Sequence, residues 1–191
     1  MGRAKMRVVI RVEGWEAVAF NVPIAEFHTA RSLERSSQVP KLGPDVLGAE
    51  FTVEGGVARL AAYAAEKPDA EVGVVLLNQR VLAGLGNVYK SEVAFAAGVN
   101  PFRAMRTVTA KEMEALVDFA VRYMRANVAD NGVVADGGRR TIAALDREER
   151  LWVYRRKGEE CRRCGAAVMM RKQGVQARST YWCPVCQPWV G

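Results

Sequence analysis

The spacing of apolar and polar residues changes along the chain. "MRVVIRV" (6–12) and "EAVAFNV" (16–22) show the alternation that is typical of β-strands, and "EGW" joins them. From about residue 43 to residue 127 the spacing becomes that of amphipathic helices. We therefore expect a short pair of strands followed by a helical region.

Two helices in this region have apolar faces that predict core packing. The face on "VARLAAYAAEK" carries Val57, Leu60, Ala61 and Ala64. The face on the later helix carries Met113, Leu116, Val117, Ala120, Val121 and Met124. Thr109 and Glu112 have the T-x-x-E spacing of a capping box, which predicts the start of the later helix.

Between these helices lies the segment "LLNQRVLAGLGNVYKSEVAFAAGVNP". It predicts a short apolar helix that ends near Gln79 or Arg80, a glycine-containing turn, and a second helix that Asn87 opens and Gly98 ends. The free N–H groups at such a helix start form an anion site, and Gly86 would let a phosphate approach closely. The alternative is that Asn87 is a plain N-cap.

All four cysteines form two Cys-x-x-Cys pairs, Cys161/Cys164 and Cys183/Cys186, separated by 18 residues. Each pair can direct two thiolates at one ion, and two such pairs complete the closed tetrahedron of a structural zinc site. The alternatives are two disulfides or a redox pair. We expect one structural zinc ion.

Two strand-like stretches, "AVMMRK" and "ARSTYW", lie between the cysteine pairs around "QGVQ". They predict a β-hairpin that depends on the metal because its own core is small. Arg178 would lie near the tip of this hairpin, where a fixed guanidinium suits phosphate binding. The alternative is an ordinary exposed arginine.

Composition and charge narrow the class of protein. The 191 residues are half apolar and about a quarter charged, which is typical of a globular protein. No apolar run approaches the roughly 18–20 residues of a membrane span, and the start lacks the apolar core of a signal peptide. We expect a cytoplasmic protein that does not bind membranes.

The net charge of +7 is unevenly distributed. Between residues 150 and 178 only Glu159 and Glu160 oppose a run of basic residues. That run comprises Arg150, Arg155, Arg156, Lys157, Arg162, Arg163, Arg171, Lys172 and Arg178. Such a cluster is the pattern expected of a protein that binds a phosphate backbone.

Two segments of the chain resemble known motifs. "LLNQRVLAGLGNVYKSEVAF" resembles the helix–two-turn–helix motif of the formamidopyrimidine-DNA glycosylase / endonuclease VIII family, and "WVYRRKGEECRRCG…RSTYWCPVCQ" resembles its zinc hairpin. The resemblance implies a multidomain α+β protein. Its expected parts are a two-stranded remnant of a β-sandwich (1–30), a linker (31–48), a helix–two-turn–helix domain (49–152) and a zinc β-hairpin (153–191).

The resemblance also implies a role in base-excision repair. Asn87 and Arg178 match the family residues that grip the DNA backbone around a flipped-out nucleotide, which must leave the stack to be reached. We add Gly86 and Lys90 to the predicted DNA-binding residues; the plain interpretation of Lys90 is a solvated or phosphate-facing side chain, and the alternative is a catalytic lysine. The expected partner is double-stranded DNA with a damaged or abasic site, bound by a monomer.

The family's chemistry depends on an amino-terminal proline followed by glutamate, and on a hairpin lysine. The start of this sequence, "MGRAKMRVVIRV", does not match them, so no catalytic residue is assigned and we expect the carboxy-terminal part of a family enzyme. Family enzymes are DNA glycosylases and abasic-site lyases that act through a Schiff base on that terminal amine.

Two other functions remain open at this point. One is a zinc-dependent module that binds damaged DNA without cutting it, and the other is a zinc-ribbon interaction protein unrelated to repair. The choice between oxidised purines and oxidised pyrimidines also stays open.

Overall fold

The computed structural model describes residues 6–22, 25–35, 42–129, 141 and 151–190. The chain divides into two compact units, Met1–Pro40 and Lys41–Gly191. The described residues form helices and two separate two-stranded antiparallel sheets, which confirms the predicted mixed α+β class. The division into four segments stays a prediction.

The first unit contains the predicted strand pair. Strands β1 (Met6–Val12) and β2 (Trp15–Phe20) are antiparallel, and Gly14 adopts a φ of 77° in the turn between them. This left-handed conformation is one that glycine adopts without steric cost. A single helical turn, α1 (Ala30–Glu34), follows, and the hydroxyl of Thr29 caps it.

The described residues of the second unit include four helices. They are α2 (Val53–Glu66), α3 (Val72–Leu76), α4 (Asn87–Ala96) and α5 (Ala110–Ala129), with a 3-10 turn at Met105–Thr107. The capping box of α5 is confirmed: the Thr109 N–H donates to Glu112 Oε2 over 2.7 Å, and the Glu112 N–H donates to Thr109 Oγ1 over 3.2 Å.

The predicted core face of α5 is confirmed, because all six of its residues are buried. The face of α2 differs from the prediction: Leu60 is buried but Ala61 is exposed. Gly56 is buried instead, and a Cβ at this position would lie 2.7 Å from Val117 Cγ1. The absence of a side chain at Gly56 therefore allows α5 to pack closely there.

The turn between α3 and α4 begins earlier than predicted, because α3 ends at Leu76. The Gln79 side chain holds the turn: its Oε1 accepts from the Gly84 N–H over 2.9 Å, and its Nε2 donates to the Leu85 carbonyl over 2.8 Å. Gly84 has a φ of 98°, and the side chain of Leu82 is fully buried beneath the turn. These contacts replace a further turn of helix.

The predicted zinc hairpin is present as strands β3 (Met169–Gln173) and β4 (Arg178–Trp182). They are antiparallel, with Gln173 opposite Arg178. Ala177, the last residue of the connecting loop, has a φ of 47°. No helix among the described residues is long and apolar enough to cross a membrane.

Candidate nucleic-acid interface

The start of α4 lies directly against strand β4. Gly86 is the N-cap of α4, and Asn87 is its first helical residue. The Asn87 side chain makes no capping bond; its Nδ2 donates to the Ser179 carbonyl over 3.0 Å. Its Oδ1 is buried and accepts no hydrogen bond from a described residue. The plain N-cap alternative for Asn87 is therefore wrong.

Lys90 lies one turn further along α4 and also contacts β4. Its Nζ donates to the Ser179 carbonyl over 3.2 Å and to Thr180 Oγ1 over 2.6 Å. The side chain is fully buried, so the interpretation of Lys90 as a solvated side chain is wrong. Burial, followed by the positive charge of Arg178, lowers the pKa of Lys90 to about 8.

A buried hydrogen-bond network continues from Thr180 into the helical part. Thr180 Oγ1 donates to Gln173 Oε1 over 2.8 Å, and Gln173 Nε2 donates to Glu71 Oε2 over 2.9 Å and to the Pro101 carbonyl over 2.8 Å. The Gln173 side chain lies directly over Gly73 of α3, where a Cβ would overlap its Oε1. None of these residues was predicted from the sequence; the glycine within an apolar helix was the available signal.

Arg178 is the exposed first residue of β4. Its Nε donates to Gln176 Oε1 over 3.1 Å, and it forms no ion pair with a described residue. Its backbone follows Ala177 in the left-handed region, which costs a non-glycine residue about 1 kcal/mol. The charges of Arg178 and Lys90 are close enough to repel, and an anion at this surface would relieve that repulsion.

The four cysteines lie together, and their Sγ atoms are all within 4.8 Å of one another. The Sγ–Sγ distance is 3.9 Å for Cys161 and Cys186, and 3.5 Å for Cys164 and Cys183. A tetrahedral zinc–thiolate site with Zn–S bonds of about 2.3 Å needs separations of about 3.8 Å. The thiols are unpaired, so the disulfide alternative is wrong and the set fits one metal ion.

One glutamine joins the cysteine cluster to the helical part. The Cys183 N–H donates to Gln187 Oε1 over 2.9 Å, and Gln187 Nε2 donates to the Val99 carbonyl over 2.8 Å. Asn100 Nδ2 in turn donates to the Gln187 carbonyl over 3.0 Å. Gln187 is fully buried, so the geometry of the knuckle is coupled to the segment that follows α4.

The basic run has two kinds of member. Arg156 pairs with Glu159 over 2.8 Å, while the guanidinium carbons of Arg163 and Arg171 lie over aromatic rings at 4.3 Å and 3.8 Å. These three arginines support the fold. Four further members, Arg155, Lys157, Lys172 and Arg178, are exposed and form no ion pair with a described residue, although the guanidinium carbon of Arg155 also lies 5.8 Å from the ring centroid of Tyr154. Arg150 lies outside the described residues.

Comparison with known proteins relates this arrangement to DNA repair. Residues 42–136 match the family model described as "Formamidopyrimidine-DNA glycosylase H2TH domain". The chain is 36% identical over 185 residues to the "Probable endonuclease 8 2" of Streptomyces coelicolor, covering 96% of this chain and 62% of that protein. It is 34% identical over 186 residues to the "DNA-(apurinic or apyrimidinic site) lyase Nei2" of Mycolicibacterium smegmatis, covering 96% and 66%.

The fold is also similar to solved structures. The complex between Lactococcus lactis Fpg and DNA containing an abasic site superposes with a TM-score of 0.64 and 27% sequence identity. That match covers 84% of this chain and 56% of the other. The chain thus spans about three fifths of the length of the relatives that it matches.

Proposed function

Because the chain belongs to the formamidopyrimidine-DNA glycosylase / endonuclease VIII family, whose carboxy-terminal part it matches, we propose that it binds double-stranded DNA at damaged or abasic sites in base-excision repair. One observation carries the proposal. The Asn87 side chain is hydrogen-bonded to Ser179, the residue next to Arg178, although 92 positions separate the two bonded residues. An amide at a helix start and an exposed guanidinium therefore occupy one surface.

Each residue of this surface has a distinct task in the proposal. Arg178 binds a phosphate through its exposed guanidinium, which forms directed hydrogen bonds to oxygen. The N–H groups at the start of α4 face the same anion, and the open space beside Gly86 admits it. Lys90 adds positive charge from beneath the surface and holds β4 in place. Asn87 links the helix start to the hairpin.

We propose that zinc is the metal held by the four cysteines. A closed set of four thiolates suits Zn²⁺ and leaves no position for a reacting ligand, so the role is structural. Through Gln187, the ion would stabilise the segment after α4 as well as the hairpin. Arg178 would then be held by the metal at one end of β4 and by Lys90 near the other.

The activity of whole family enzymes, from which the proposed role in repair derives, is removal of a damaged base followed by cleavage at the abasic site. Lys90 is an unsuitable nucleophile although its pKa is lowered to about 8, because its Nζ is buried and donates two hydrogen bonds. We therefore assign no described residue to bond breaking. This chain's own residues bind and orient the DNA.

The first test is Arg178→Ala in the full chain. We expect weaker binding to every duplex and a reduction of about one in the slope of log affinity against log salt, because one phosphate contact is lost. Fluorescence anisotropy with an abasic duplex, at several salt concentrations, measures both quantities. A charge-matched control is Arg125→Ala, which removes one exposed positive charge from α5.

Equal slopes for Arg178→Ala and the unaltered chain would count against the phosphate contact. A wild-type chain that binds neither abasic nor intact duplex would contradict the proposed function as a whole. It would favour the zinc-ribbon interaction protein.

Borohydride trapping on an abasic duplex tests the catalytic part. Once Met1 is removed, Gly2 presents a primary amine, and a covalent adduct that disappears when this amine is blocked would support lyase chemistry at an amino-terminal amine. Binding without an adduct would instead support the module that grips damaged DNA and does not cut it. The two outcomes separate the enzyme from the binding module without depending on lesion type.

A further inference from the structure

Glu92 is a fully buried carboxylate in the middle of α4. Its Oε1 accepts from the Val153 N–H over 2.9 Å and from the Tyr154 N–H over 2.8 Å. Its Oε2 accepts from the Trp152 N–H over 2.7 Å and from the hydroxyl of Thr141. All four donors come from segments that lie far from Glu92 in the sequence.

The four hydrogen bonds explain how a charge-bearing group is tolerated there. Burial raises the pKa of Glu92, while the hydrogen bonds from Thr141 and from the backbone of residues 152–154 act to lower it. No lysine or arginine among the described residues forms an ion pair with it. Hydrogen bonds from N–H and O–H donors replace the water that the carboxylate loses on burial. Removing one of these donors would therefore lower the stability of the fold.

The positions of these donors show what Glu92 holds together. Thr141 and Trp152 lie on either side of residues 142–150, which are outside the described part of the chain. One carboxylate thus binds the described residue before this segment and the residues after it. The residues after it lead into the cysteine knuckles, and Val153 packs in the small core around Cys161 and Cys183.

We propose that Glu92 is a positioning residue that fixes Thr141 and the backbone of residues 152–154 to α4. The same helix holds β4 through Asn87 and Lys90 at its start. Helix α4 therefore sets the hairpin and the entry to the zinc-binding region relative to each other. This role of Glu92 does not depend on the proposed function. Only the expectation for DNA binding given below rests on that function.

The experiment uses the zinc-loaded full chain and measures hydrogen exchange by mass spectrometry. In Glu92→Gln, one acceptor oxygen becomes an NH2 donor, so at least one N–H group of 152–154 loses its partner and the others donate to an uncharged oxygen. We expect exchange at 152–154 to accelerate roughly tenfold or more, as for loss of hydrogen bonds to a charged group. Protection in α5 and zinc content should stay unchanged.

Two substitutions of Thr141 test the same role if Glu92→Gln unfolds the whole chain. Thr141→Val removes the hydroxyl but preserves side-chain shape, and Thr141→Ser restores it. We expect exchange near residue 141 to rise roughly threefold in the valine variant and to return towards wild type in the serine variant. If only side-chain volume at residue 141 mattered, exchange would not rise in the valine variant and return towards wild type in the smaller serine variant.

Two results would contradict the proposed positioning role of Glu92. Unchanged exchange at 152–154 in a folded Glu92→Gln chain is the first, and equal exchange in the valine and serine variants is the second. Failure of the proposed function would appear elsewhere, as absence of DNA binding by the wild-type chain. In a wild-type chain that binds DNA, Glu92→Gln should leave the salt slope unchanged, because Asn87 and Arg178 are untouched.

Discussion

At the scale of single residues, burial and a neighbouring charge together lower the pKa of the Lys90 ammonium group. Two oxygens of β4 accept its hydrogen bonds, while the adjacent guanidinium of Arg178 repels it. Its pKa of about 8 leaves most of the population charged at pH 7. Lys90 therefore contributes positive potential to the surface that we propose binds DNA, although its own side chain is not exposed.

The first prediction concerns the pH dependence that Lys90 confers. Its folded pKa lies below the ordinary value of 10.5, so the unfolded chain binds more protons between about pH 8 and that value. Stability from this group should rise with pH in that window, with a slope of at most about 1.4 kcal/mol per pH unit. Lys90→Met should lack this component in denaturant unfolding measured from pH 7 to 10.

DNA affinity should show the opposite dependence. As Lys90 loses its proton above about pH 8, the positive potential at the surface falls, so wild-type affinity should decline more steeply than that of Lys90→Met. Because all other titrating groups are shared, the comparison isolates Lys90. Parallel stability and affinity profiles for the two chains would show that Lys90 does not titrate in this range.

At the scale of elements, the contact between α3 and the hairpin depends on Gly73. The Gln173 side chain occupies the space where a Cβ would be, and three hydrogen bonds hold it there. Gly86, at the start of α4, lies beside open space instead, and a Cβ at that position would have no neighbouring atom within 4 Å. Gly73 thus permits close packing, whereas the open space at Gly86 is where we propose that a phosphate approaches.

The second prediction compares alanine at these two glycines. Gly73→Ala should destabilise the fold by roughly 1–3 kcal/mol, because Gln173 must move and lose partners. Gly86→Ala should change the free energy of unfolding by less than about 1 kcal/mol but should weaken binding to abasic DNA, because the methyl group narrows the approach to the helix start. Urea unfolding and anisotropy measure the two effects.

The opposite pattern would contradict this assignment. A Gly73→Ala chain of wild-type stability would mean that the hairpin does not pack against α3 as described. If Gly86→Ala bound abasic DNA with unchanged affinity, Gly86 would not lie at the phosphate.

At the scale of the whole molecule, the described residues of the second unit form two hydrophobic cores of unequal size. The larger is formed mainly by α5, α3, α4 and the turn between α3 and α4, and it includes no cysteine. The smaller comprises Phe95, Val153, Cys161, Val168 and Cys183, of which two are proposed metal ligands. A core of this size does not stabilise a hairpin by itself, so we expect the proposed metal ion and the contacts with α4 to do so.

The third prediction follows from this inequality. Chelation of the metal should unfold the hairpin and abolish DNA binding, while most of the helical circular dichroism persists because the larger core is intact. Metal analysis, circular dichroism and anisotropy on the same sample measure these properties, and added Zn²⁺ should restore binding. Undiminished binding by a sample shown to be metal-free would disprove the dependence of Arg178 on the metal.

Local patterns in the sequence were enough to predict most helices and strands and the four-cysteine cluster. The periodic face of α5, its capping box, the strand pair 6–20 and the cysteine spacing were all predictable, because each depends on residues close together in the chain. Family resemblance also identified Asn87 and Arg178. The DNA-binding roles of these residues, and of Gly86 and Lys90, stay predictions until binding is measured.

How these elements contact one another could not be predicted from local patterns in the sequence. Lys90 and Glu92 are charged residues within an apolar helix, and their sequence pattern did not reveal that one binds β4 and the other binds residues 141 and 152–154. The sequence pattern also did not reveal that Gln173 and Gln187 are buried and donate to the carbonyls of Pro101 and Val99. A buried polar group needs partners that local periodicity cannot specify, because they come from distant segments brought together when the core packs.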